Sequence, residues 1–178
     1  IVFPLRQASD GKTGIEGLFG YKAATCKIGA LTWGSYGGGK RKNESFLRCA
    51  CRELGEESRI HSHPSDLTLV GAITFHRTKV TGNKSIGACQ IYTIPYSSCT
   101  GHPTPTKEML DHQWYPLHQI PYDKMMPDYK LWLPQILVGE KTVNGEIHIR
   151  ETHPKNNLLD EITSHSLEFQ EKRVLVTA

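Results

Sequence analysis

Glu53, Glu56 and Glu57 stand at i, i+3 and i+4 behind a glycine-rich run, "GSYGGGK". On a helix those spacings bring the carboxylates to one face. Like charges so placed cost about 0.2–0.5 kcal/mol per pair, and more where they lose water. Arg52 and Arg59 are within reach of Glu56, but Glu53 and Glu57 have no basic residue three or four positions away. A hard divalent cation such as Mg²⁺ takes carboxylate oxygens and would neutralise such a cluster. The alternative is a solvated acidic helix face, and the glutamates alone do not decide between the two.

The segment that must position them is the clearest helix in the chain. Residues 44–58 carry an apolar stripe of Phe46, Leu47, Ala50, Cys51 and Leu54, the expected core face, with the glutamates beside it. Short strands are expected over 1–5 and 17–22, joined by a turn through "SDGKTG". Further strands are expected over 67–75 and 86–96, rich in Ile, Val, Thr and Tyr, and over 113–117. Residues 128–138 read as a helix containing Pro134. "TVNGEIHIRE" reads as a hairpin turning at Asn-Gly. Beyond residue 150, "LLDEITSHSLEF" suits either a helix or a final strand. This order of elements predicts an α+β fold with a mixed sheet. One domain is expected over 1–150, with 151–178 as a C-terminal extension.

Composition narrows the function classes. The chain has 178 residues, 38% apolar and 22% charged, an ordinary globular balance. A net charge of +3 with scattered basic residues argues against stable nucleic-acid binding. Apolar runs are too short for a membrane span. The five cysteines lack zinc spacing, and reduced thiols in a cytoplasmic setting fit them. "HSHP" at 61–64 offers two histidines without a third ligand and reads as an exposed loop. Nothing in the sequence sets the oligomeric state.

From Gly38 the chain runs five residues to Glu44, seven more, then Arg52-Glu53-Leu54-Gly55-Glu56-Glu57-Ser58-Arg59-Ile60. This resembles the signature of the Nudix hydrolases, G-x5-E-x7-R-E-U-x-E-E-x-G-U, with Arg59 at the last glycine. The resemblance implies the Nudix fold, an α/β/α sandwich around a mixed central sheet. It implies Mg²⁺ or Mn²⁺ as cofactor, held by Glu53, Glu56 and Glu57 with the backbone of Gly38 close by. Arg52 is then expected to orient a glutamate, and Glu108 falls where related enzymes carry a further acidic residue. At Arg59 a helix-ending position of positive φ would make the β-carbon cost about 1 kcal/mol.

"TWGSYGGGK", "GLFGYK" and "HQWYPLHQIPYDKMMPDYKLWLPQIL" are similar to the MutT-homologue branch that hydrolyses oxidised purine nucleoside triphosphates such as 8-oxo-dGTP. That branch reads the base with an Asn and an Asp pair and stacks it on an aromatic. Here Gly34 stands at the Asn, Asp128 and Tyr129 at the pair, and Met126 at the aromatic. Phe75, Met126, Asp128, Tyr129 and Trp132 are therefore candidates for the base pocket, and Lys22 for a phosphate contact. The expected activity is hydrolysis of a nucleoside triphosphate to monophosphate and pyrophosphate. The alternatives are a Nudix enzyme for nucleotide sugars, dinucleoside polyphosphates or RNA 5′ ends, and a nucleotide-binding module without catalysis.

Overall fold

The computed structural model describes residues 1–8, 14–154 and 156–172, so most of the "SDGKTG" turn lies outside them. In chain order the elements are β1 (Val2–Gln7), β2 (Ile15–Lys22), β3 (Trp33–Gly34), α1 (Phe46–Ser58), β4 (Thr68–Thr78) and β5 (Lys84–Pro95). They continue with β6 (Met109–Pro116), α2 (Tyr129–Leu137), β7 (Lys141–Arg150) and β8 (Glu161–Glu171). The sheet runs β3-β2-β1-β5-β4-β7-β8, and β6 pairs with β2. It is mixed, because β1 lies parallel to β5 and β4 parallel to β7 while the other pairs are antiparallel.

Alternation along the strands splits the core between the two sheet faces. Val2 and Leu18 pack with Ala50 and Leu54 of α1, whereas their neighbours Phe3 and Phe19 pack with Trp132 and Leu133 of α2. The result is an α+β sandwich with one helix on each face of the sheet.

Two local expectations are corrected. The helix begins at Phe46, where the Ser45 side chain accepts from the Arg48 N–H, so Glu44 lies outside it. Its docked face includes Cys49, Ala50, Glu53, Leu54 and Glu57, while Phe46 and Leu47 are 37% and 36% exposed. Ala50 and Leu54 dock on the sheet, and the glycine loop lies over Glu53 and Glu57. Second, Asn144-Gly145 makes no hairpin. It lies inside β7, and Gly145 has φ 151 with the β8 backbone so close that a β-carbon would collide with the Ser166 carbonyl. The glycine serves close approach and not a turn. Of the two forms that suit the segment after residue 150, the structure has the final strand: β8 pairs along β7, so part of the expected extension continues the same sheet.

Candidate active site: carboxylates under a glycine loop

Arg52 organises the acidic cluster. Its Nε and Nη2 donate to both oxygens of Glu44, at 2.8 and 2.9 Å. Nη1 donates to Glu53 at 2.6 Å and to Glu56 at 2.9 Å, and Nη2 also reaches the Gly39 carbonyl at 3.0 Å. The guanidinium fork thus fixes three carboxylates and the loop with fully engaged donors. Hydrogen bonds from Arg52, then from the Arg41 N–H, hold the Glu44 carboxyl at about 2. Glu53 is therefore not without a basic partner, because its partner is adjacent in sequence. Glu56 pairs with Arg52 and Arg41.

The loop completes the cluster from above. Gly37 donates its N–H to Glu57 at 2.6 Å. At Gly38 a β-carbon would lie 2.7 Å from all three carboxyl atoms of Glu53, so only glycine leaves that carboxylate its place. Glu57 is buried, and its carboxyl is pushed up to about 7. Burial is the main cause; Lys22 and the Gly37 N–H oppose it, and the Glu53 and Glu108 carboxylates add to it. Carboxylates crowd here with less positive charge than they need. That donor set, hard oxygens around a hollow kept open by Gly38, fits a divalent cation such as Mg²⁺ or Mn²⁺.

These groups line one cleft of about 1100 Å³, large enough for a nucleotide. The expected catalytic and substrate-binding residues border it, from Lys22 and Phe75 to Glu108, Met126 and Trp132, whereas Glu44 and Arg59 do not. The base-side residues do not play equal parts. The Tyr129 hydroxyl is engaged by Ser35, through the N–H at 3.2 Å and the hydroxyl at 2.9 Å. It sits 3.3 Å from where a Gly34 β-carbon would be, so the missing side chain at 34 makes room for it. Asp128 is 2% exposed; Oδ2 accepts from the Trp132 indole at 3.1 Å, and Oδ1 has no protein partner. Burial raises the Asp128 carboxyl above its usual range, against the pull of Trp132 and Arg77. An unsatisfied buried acceptor beside a cleft is a natural reader of a ligand edge.

A second network escapes sequence reading. Arg77 borders the cleft and donates to buried Asp160 at 3.1 Å. Asn157 donates to the same oxygen at 3.0 Å and accepts from the Gly29 N–H at 2.8 Å. The segment before β8 thereby ties the loop around Gly29 to β4. The available signal was modest: Arg77 follows Phe75 by two, putting a charge on the inward register of a strand. Near "HSHP", His61 pairs with Thr100 and the His63 side chain caps a short turn, so neither enters the cleft.

The NUDIX domain pattern matches residues 22–136, more than half of the chain. The chain belongs to the Nudix family and is a Nudix hydrolase. It is 33% identical to the oxidized purine nucleoside triphosphate hydrolase of Mus musculus over 114 residues, 64% of this chain and 68% of that protein. The Danio rerio protein of the same name is 30% identical over 110 residues, 62% of this chain and 65% of that protein. Among solved structures, a MutT protein from Bacillus halodurans superposes with a TM-score of 0.70 at 17% identity, covering 94% and 95% of the two chains. Among the described residues, no helix is long and apolar enough to cross a membrane.

Proposed function

We propose that this hydrolase cleaves a nucleoside triphosphate to the monophosphate and pyrophosphate with Mg²⁺ or Mn²⁺, and accepts purines broadly. The observation that carries this reading is the Arg52-centred carboxylate cluster opening into a nucleotide-sized cleft. Glu53, Glu56 and Glu57 would hold the ion, with Glu108 facing it across the hollow. The chemistry expected of a bound ion is neutralisation of phosphate charge and acidification of a water. Arg52 keeps two of the glutamates aimed, so little reorganisation accompanies the reaction. Burial and the neighbouring carboxylates push the Glu57 carboxyl up to about 7 without an ion, a penalty that a bound cation would offset. Lys22, whose charge acts on Glu57 across the cleft, is placed to meet a phosphate. Asp128 Oδ1 would accept from a purine amine or ring N–H.

A release assay over a panel of nucleotides with each metal tests this directly. Pyrophosphate and monophosphate in equal amounts from purine triphosphates are expected. Orthophosphate as the product, or turnover confined to nucleotide sugars or dinucleoside polyphosphates, would replace the reading.

A further inference from the structure

On the opposite face of β4 from Phe75 and Arg77, the sheet brings two imidazoles and a carboxylate together. The parallel register sets His76 beside His148, and Glu146 precedes His148 by two, so all three project from one face. His76 Nε2 lies 3.2 Å from one Glu146 oxygen and His148 Nε2 lies 3.5 Å from the other. The two rings stack with centroids 4.3 Å apart and planes at 5°. All three ligating atoms fall within 4.8 Å of one another.

We infer that His76, Glu146 and His148 form a binding site for a borderline transition-metal cation, Zn²⁺ foremost, separate from the catalytic glutamates. Bonds of about 2.0–2.2 Å in a tetrahedral site put neighbouring ligand atoms roughly 3.3–3.5 Å apart. The His148–Glu146 separation meets that spacing and the His76–Glu146 separation is slightly shorter, each to a different oxygen of the carboxylate. The imidazoles must fan out from their stack to converge on one ion, and their side chains, 28% and 39% exposed, have room to turn. Two imidazoles with one carboxylate select Zn²⁺, Ni²⁺ or Cu²⁺ over Mg²⁺. Three protein ligands leave a fourth position for water. The ion would link β4 to β7 between residues 70 positions apart, which stabilises the native sheet because the unfolded chain lacks the preformed site.

The test is calorimetric titration with Zn²⁺ in excess Mg²⁺, on the wild type and on His76→Gln, His148→Gln, Glu146→Gln and Glu57→Gln. One Zn²⁺ per chain with roughly micromolar affinity is expected for the wild type and for Glu57→Gln. Each histidine variant should bind at least about tenfold more weakly and lose the Zn²⁺-dependent rise in melting temperature. Turnover of His148→Gln with Mg²⁺ alone should match the wild type. Saturable binding that survives both histidine substitutions, binding that is lost instead in Glu57→Gln, or no saturable binding at all would overturn the assignment.

Discussion

The two sides of the cleft are built on different principles. Around Arg52, charge fixes position: one guanidinium holds Glu44, Glu53 and Glu56, and Gly37 and Gly38 admit Glu57 and Glu53 beneath the loop. Around Asp128, burial and packing dominate. Phe3, Tyr129 and Trp132 meet as aromatic neighbours, and the Tyr129 hydroxyl is spent on Ser35. A network of charge-assisted bonds tolerates little change, because losing one member leaves others buried and unpaired. A packed pocket can exchange residues in compensating pairs, as Gly34 and Tyr129 illustrate. The charged side carries the residues of the Nudix signature, while the packed side carries Gly34, Met126 and Tyr129 where resemblance to the oxidised-purine branch leads one to expect other groups.

The comparison breaks most sharply if the charged side proves dispensable. Glu56→Gln or Glu57→Gln should lower kcat at least about a hundredfold with the fold intact, since a lost ligand removes charge stabilisation that matters mainly in the transition state. Near-normal kcat in both, at saturating Mg²⁺, would detach these glutamates from the chemistry. Gly38→Ala should cost about tenfold or more in kcat, by displacing the Glu53 carboxylate. Gly39→Ala is its companion, because a β-carbon at 39 meets nothing within 4 Å. A loss of equal size in both would locate the effect in loop flexibility and not in the Glu53 contact.

On the packed side, changes should register in stability. Tyr129→Phe leaves the Ser35 N–H without its acceptor and should cost about 1–3 kcal/mol, read from denaturant midpoints. A midpoint equal to wild type would mean water replaces the phenol. The smallest effect is expected at Arg59, which ends α1 in the left-handed region at φ 65. Arg59→Gly should raise stability by about 1 kcal/mol and leave turnover unchanged. A lower melting temperature would reveal a partner that holds the arginine side chain in place.

How much of this was legible follows from sequence distance. The glutamates, Arg52 and Gly38 lie within one loop and helix, so the resemblance to the Nudix signature could bring them together. The helix expected over 128–138, in spite of Pro134, and the strand-rich runs likewise placed α2, β4 and β5 to within a few residues. The docked face of α1 was legible in part: Ala50 and Leu54 are buried as expected, whereas Phe46 and Leu47 are exposed and Glu53 and Glu57 are covered by the glycine loop. Asn144-Gly145 carries the same dipeptide as a tight hairpin, and only the approach of β8 distinguishes the two uses. The links from Gly29 to Asn157 and from Arg77 to Asp160 span 128 and 83 residues, with no local pattern to betray them. Folding also reveals that the hydroxyl of Tyr129, expected only to line the base pocket, is engaged by Ser35.

The central claim is that cleavage is retained while base reading is rewritten. Its most direct test is the ratio of kcat/KM for 8-oxo-dGTP and dGTP at one fixed Mg²⁺ concentration. On the proposed reading Asp128 alone meets the purine edge, and each decade of discrimination requires about 1.4 kcal/mol. Efficient turnover of both nucleotides, with a ratio of about tenfold or less, is the predicted result. A preference for 8-oxo-dGTP of about a thousandfold or more would show that other groups in the cleft restore the readout, and would contradict the account.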